Sequence, residues 1–160
     1  MTIRKLLPTD NESLAKIIKA IFVEFNAPKI GTVYSDPTTN DLYKLFEHEK
    51  SILWVIEADK EVLGCCGIYP TKGLPEGCAE LVKFYFSPKA RGNGWGKELL
   101  EYNIKSAIDY GYSQLYLECL PHFSSAINLY ESLAFKHIDK ALGDSGHTSC
   151  NIWMVKNLLT

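Results

Sequence analysis

Seven residues near the middle of the chain, Arg91-Gly92-Asn93-Gly94-Trp95-Gly96-Lys97, set three glycines between two cations just before a helical pattern. Such a segment suits an anion. Residues without Cβ let the backbone come close to a ligand, successive amide N–H groups can point at it, and the positive end of a helix dipole favours negative charge there. A pyrophosphate fits that description. The simpler alternative is a glycine turn joining a strand to a helix, and the flanking Arg91 and Lys97 count against it. Spacing then sorts the phosphate ligands. The triphosphate loop G-x-x-x-x-G-K-[ST] is excluded, because Glu98 follows Lys97 and Arg91 stands five residues before Gly96. The dinucleotide fingerprint G-x-G-x-x-G directly after a first strand is also absent. Here the glycines alternate as G-x-G-x-G, and residues 87 to 91 intervene after a strand in mid-chain, although Glu118 lies near the right distance for a ribose contact. A second chemistry-bearing segment, Gly143-Asp-Ser-Gly-His147-Thr-Ser-Cys150, pairs a histidine with a cysteine as a thiol nucleophile would need. No third orienting residue is evident, so a buried structural thiol is expected there, with His147 lining an acceptor pocket.

The glycine loop sits between a strand over 79–86 and a helix over 97–110 that stops at Gly111. Before it, residues 2 to 7 read as a strand, and Thr9-x-x-Glu12 reads as a capping box. A helical face follows through Leu14, Ile17, Ile18, Ile21, Phe22 and Phe25. Residues 26 to 39 form a long loop, a segment length often used for binding, and Leu42, Leu45 and Phe46 mark a short second helix. Apolar runs over 52–56 and 62–69 flank a polar turn as a β-hairpin. After the central unit come a strand over 114–119, a helix over 124–133, and strands over 135–138 and 151–155. The expectation is an α/β chain without internal repeats or linkers.

Composition agrees with one domain over residues 1–160. With 46% hydrophobic residues in 160, the chain can build a sizeable core, which excludes disorder as its general state. Lys and Arg number 17 against 19 Asp and Glu, a net charge of −2 that supplies no global field toward nucleic acid or anionic membrane. Neither is expected as a partner. The five cysteines form no C-x-x-C pair, which points to buried thiols in a reducing cytoplasm and to no metal. No signal peptide and no run of about 18 apolar residues is present.

Arg91-x-x-Gly94-x-Gly96 after an apolar strand resembles the acetyl-coenzyme A signature of the GNAT N-acetyltransferase superfamily. The segment Ala126-Ile-Asn-Leu-Tyr130-Glu-Ser-Leu-Ala-Phe135 resembles that family's later A-x-x-L-Y-E-x-x-G-F stretch. The order of elements across nearly the whole chain is similar as well. The chain departs from the pattern twice. Ala134 replaces the usual glycine, and Phe123 stands where many members place an asparagine that contacts coenzyme A.

The resemblance implies a single-domain fold with a mixed, mostly antiparallel twisted sheet flanked by helices, and with two central strands splayed apart. Acetyl-CoA would be the co-substrate. Its pantetheine arm would lie in the gap against backbone offered by Phe84 and Phe86, and its pyrophosphate on the backbone N–H groups of Arg91, Gly92, Asn93, Gly94, Trp95, Gly96 and Lys97. Acetyl transfer to an amine needs an uncharged amine, a stabilised tetrahedral intermediate and a proton for the departing thiolate. Tyr130 matches the family's general acid. Glu80 resembles the base of histone-acetylating members, and Glu118 the base of members that acetylate ribosomal protein N-termini. The choice between them stays open, with a preference for Glu80 because it shares the strand that carries the glycine loop. The long loop with Tyr34, Ser35 and Asp36 is expected over the acceptor end of the cleft. The expected activity is direct acetyl transfer to a primary amine of a small molecule or peptide N-terminus, by a monomer or homodimer. A catalytically silent acyl-CoA-binding regulatory domain is the alternative.

Overall fold

The computed structural model describes residues 1–159. In chain order the elements are β1 (Thr2–Lys5), α1 (Asn11–Glu24), α2 (Leu42–Leu45), β2 (Ile52–Ala58), β3 (Glu61–Tyr69), β4 (Cys78–Phe86), α3 (Trp95–Asp109), β5 (Gln114–Cys119), α4 (Ser124–Ser132), β6 (Lys136–Ile138) and β7 (Ile152–Asn157). The seven strands form one sheet in the order β1-β2-β3-β4-β5-β7-β6. Among the described residues, only the β4–β5 pairing is parallel. A parallel neighbour requires a crossover, and α3 supplies it.

Each face of the sheet buries its own apolar cluster. Leu99, Leu100 and Ala107 of α3 and Tyr130 of α4 pack with Cys66, Leu81 and Leu117 on one face. Leu14, Ile18 and Phe22 of α1 pack with Leu53, Val55 and Cys65 on the other. Side chains alternate between faces along a regular strand. In β4, however, Leu81 joins the α3 cluster while Tyr85, of the same parity, packs in the α1 cluster. A β-bulge explains the reversal. Pairing with β3 slips between Cys65↔Tyr85 and Gly67↔Val82, and Lys83 takes a left-handed φ of 58°.

Several strand ends shift by one or two residues, and two helix starts differ from their sequence signals. The capping box at Thr9 and Glu12 does not form. Asp10 precedes α1 without capping it, because its buried carboxylate instead accepts the Leu7 N–H at 2.8 Å and two bonds from Arg4 at 2.8 and 3.0 Å. Helix α3 begins at Trp95, two residues earlier than its pattern suggested, since Gly94 at φ 77° makes the turn into it. Trp95, Gly96 and Lys97 are therefore the first turn of the helix, where backbone N–H groups have no intrahelical partner.

Candidate active site

The site follows from where β4 and β5 stop pairing. Their parallel register holds for Cys78↔Gln114, Ala79↔Leu115 and Glu80↔Tyr116, and goes no further, although β4 continues to Phe86 and β5 to Cys119. Past Glu80 the two strands splay. A cavity of about 460 Å³ fills the wedge. Glu80, Glu118, Lys83 and His147 line it, as do the glycine loop, Phe84, Phe86, Phe123 and Tyr130.

At the narrow end, Glu80 is only 4% exposed and accepts a hydrogen bond from the Thr71 hydroxyl. Burial raises its pKa to about 7, with the charge of Glu118 adding to the effect and the Thr71 bond opposing it. Glu118, across the wedge, accepts hydrogen bonds from the Tyr116 hydroxyl at 2.9 Å and from the Ser145 hydroxyl. The structure thus brings both candidate bases to one cavity and gives them different surroundings. Glu80 has one hydroxyl partner, whereas each carboxylate oxygen of Glu118 accepts one bond.

Two loops close over this end. His147 Nε2 lies 2.8 Å from Asp36 Oδ2, an interaction that holds the Asp36 carboxyl well below the usual carboxylate range, aided by bonds from Thr38. The Ser149 N–H donates to Gly31 O at 3.0 Å, and the Ser149 hydroxyl donates to Ile30 O at 2.7 Å. The segment joining β6 to β7 is thereby latched to the α1–α2 loop, whose Thr32 and Val33 reach the cavity. His147 lines the pocket as the sequence led us to expect. Cys150 lines it too, but burial pushes its thiol up to about 12, which leaves almost no thiolate at neutral pH.

At the wide end, Gly92 and Gly94 have φ of 79° and 77°, and a Cβ built on either would meet nothing within 4 Å. Open space therefore lies over these backbone positions, as a phosphate-sized ligand would need. Gly96 faces Leu129 and Phe84, each 3.4 Å from where its Cβ would be. The cations of the loop point elsewhere. The Arg91 guanidinium is held by Glu24 at 2.6 and 2.9 Å, by Phe86 O, and over the Phe25 ring. Lys97 Nζ is 3.9 Å from Glu101. Asn93 donates to Arg91 O at 3.3 Å, a bond inside the loop itself. Arg91 thus fastens the loop to α1, and the groups the loop leaves open are those of its backbone.

Tyr130 is 6% exposed, packs its ring 5.7 Å from Phe84 and 5.8 Å from Phe135, and has its pKa raised well above 10 by burial. Its hydroxyl has no hydrogen-bond partner among the described residues. Phe123 stacks edge-on with Phe22, Phe25 and Tyr85, forming an apolar floor in place of an amide. Sequence reasoning missed Lys83, Thr71, Tyr116 and Ser145. The Tyr116-x-Glu118 spacing on one strand face was a usable signal for the second carboxylate's partner. Ser145 lies in the 143–150 segment singled out for its histidine and cysteine, and nothing local marked Lys83 or Thr71.

Residues 15–135 match the Acetyltransferase (GNAT) family, and the chain belongs to it. The chain is 37% identical over 157 residues to "Uncharacterized N-acetyltransferase YjgM" of Escherichia coli strain K12, covering 97% of this chain and 93% of that protein. A GNAT-family acetyltransferase structure from Staphylococcus aureus Mu50 superposes with a TM-score of 0.85 at 21% identity, covering 98% of each chain. The structure of yncA from Salmonella typhimurium, a putative acetyltransferase with its cofactor acetyl-CoA, gives a TM-score of 0.77 at 20% identity, covering 100% of this chain and 95% of that one. The protein is thus an acyltransferase of the N-acetyltransferase type with the mixed, splayed sheet expected of it. No helix among the described residues is long and apolar enough to cross a membrane.

Proposed function

We propose that this protein transfers the acetyl group of acetyl-CoA directly to a primary amine, with Glu80 as the base and Tyr130 as the acid. The observation that carries the reading is a carboxyl of pKa about 7 at the root of a wedge whose other end is an open glycine cradle. An amine arriving as ammonium must lose a proton, and a carboxylate poised near neutral pH is matched to that task, directly or through a water.

The residues fit acetyl-CoA. The uncovered backbone at Gly92 and Gly94, with the first turn of α3 beyond them, suits the pyrophosphate. The stretch of β4 through Phe84 and Phe86 that β5 leaves unpaired offers backbone groups to an extended amide chain. When bound, the coenzyme supplies an activated acetyl thioester. Tyr130, whose hydroxyl has no partner among the described residues, would donate a proton to the departing thiolate, and the apolar ring cluster around it excludes water. The acceptor enters beneath the latched α1–α2 and β6–β7 loops. A small-molecule amine or a peptide N-terminus is compatible with that entrance.

The test is amine-dependent thiol release from acetyl-CoA across an amine panel, with mass spectrometry of the product. Acetylation of an amine nitrogen supports the reading. Coenzyme binding without turnover on any amine would leave the silent acyl-CoA-binding domain in its place.

A further inference from the structure

The residue at the β4 bulge is a lysine. Lys83 is only 7% exposed, lines the cavity, and makes no side-chain hydrogen bond among the described residues. The bulge breaks strict alternation, placing Lys83 where its ammonium interacts with Asp36 and Glu80, on the face that carries Tyr85 and α1. An ammonium on a cavity wall without a protein hydrogen-bond partner leaves its donors to whatever fills the cavity. The neighbouring carboxylates bond other groups and not Lys83: Asp36 pairs with His147 and Thr38, Glu80 accepts from Thr71, and Glu118 accepts from Tyr116 and Ser145. Three N–H donors of Lys83 thus remain for a ligand at the acceptor end.

We propose that Lys83 anchors a carboxylate of the acceptor, so that the substrate class is an aminocarboxylate of α-amino-acid type. This rests on the amine-acetyltransferase reading given above. Glu80 lies three residues from Lys83 on the same strand, a backbone span of roughly 10 Å that side chains can narrow. Ammonium and carboxylate on one carbon would then meet opposite charges, the ammonium at Glu80 and the carboxylate at Lys83. Desolvation lowers the pKa of Lys83, and Asp36 and Glu80 oppose that shift. An incoming carboxylate favours the charged form further and supplies the charge-assisted bonds that the protein does not. The cavity wall beyond, with Phe22 and Val33, suits an apolar side chain on the acceptor.

The experiment compares common L-α-amino acids with their decarboxylated amines, leucine with 3-methylbutylamine and phenylalanine with 2-phenylethylamine among them. Thiol release from acetyl-CoA is measured alongside calorimetric binding to the coenzyme A-loaded protein. Expected is a preference of at least about tenfold in kcat/KM for the best carboxylate-bearing partner of a pair, expressed mainly in KM, since the carboxylate takes no part in the bond changes and its anchoring contributes binding. In Lys83→Met that preference should fall to within about threefold with coenzyme A affinity intact, and Lys83→Arg should retain part of it. Equal or better use of the decarboxylated amines by the unaltered protein overturns the anchor and keeps the transferase, and this comparison needs no variant to fold. Binding of the amino acids that Lys83→Met abolishes, without thiol release in any assay, keeps the anchor and overturns the transferase. Neither binding nor turnover with any member of the panel overturns the anchor.

Discussion

Glu80 and Tyr116 form the last rung that joins β4 to β5, and the same Tyr116 hydroxyl donates to Glu118, the other carboxylate of the wedge. One residue therefore both ends the strand pairing and supplies a partner for the second carboxylate. Glu80 sits on the opposite side of that rung, buried, and carries the raised pKa. The point where the sheet opens is also the point where the two carboxyls acquire different environments.

Replacing Tyr130 by Phe removes one oxygen from a tightly packed ring, so folding and coenzyme binding are expected to survive. Turnover should fall by about 10² to 10⁴, the usual contribution of general acid catalysis. Steady-state kinetics with calorimetry of coenzyme A binding checks this. Full activity in Tyr130→Phe would give the proton to water or to the thiolate itself.

The cradle predicts a loss of affinity rather than of chemistry. At Gly96 a Cβ would already touch Leu129 and Phe84 at 3.4 Å, so the branched side chain of Gly96→Val crowds the slot beside the first turn of α3. Coenzyme A binding should weaken at least about tenfold, roughly 1.4 kcal/mol. Unchanged affinity in a folded Gly96→Val variant would remove this loop from the site.

Ala134 occupies a left-handed φ of 66° just after α4, at a position where the resemblance to the family calls for glycine. An L-residue pays about 1–2 kcal/mol for that conformation, and glycine gives part of it back through the entropy of its unfolded state. Ala134→Gly should stabilise the protein by about 0.5–1 kcal/mol, raising Tm by about 1–3 °C with activity unchanged. Calorimetry showing a lower Tm would mean that the alanine methyl makes compensating contacts.

No cysteine is expected to carry the acetyl group. Burial pushes Cys119 and Cys150 up to about 12 and raises Cys65 and Cys66 as well. Cys150→Ser should keep its turnover. An acetyl-Cys150 species in intact-protein mass spectra, lost together with activity in that variant, would replace direct transfer by a two-step route.

Much of the site was legible in the sequence because its signals are local. The glycine loop between a strand and a helix, the Tyr130 segment and the two strand carboxylates are each marked within a few residues, and apart from Asn93 their candidate residues line the same cavity. What was not legible depends on pairing between distant segments. The bulge that turns Lys83 to the cavity exists only because β4 slips against β3, and Thr71 and Ser145 reach the carboxylates from loops whose sequences do not show that contact. The helix start was misplaced for a related reason, since whether Gly94 or Lys97 opens α3 is decided by backbone conformation. The Thr9 box failed because the half-buried Arg4–Asp10 pair fixes that turn instead.

The most direct test of the account is the pH dependence of kcat/KM for an amine acceptor in the unaltered protein, Glu80→Gln and Glu118→Gln. The base must be deprotonated to act, and the carboxyl of Glu80 has a pKa of about 7. The rate should therefore rise with pH up to about 7 and level off above it until the acid form of Tyr130 is lost. Glu80→Gln should abolish that acidic limb, lower the rate at neutral pH, and recover in part at alkaline pH where free amine is abundant. Glu118→Gln should keep the limb and most of the rate. A larger loss in Glu118→Gln than in Glu80→Gln, with the limb intact in Glu80→Gln, would contradict the assignment and move the base across the wedge to Glu118.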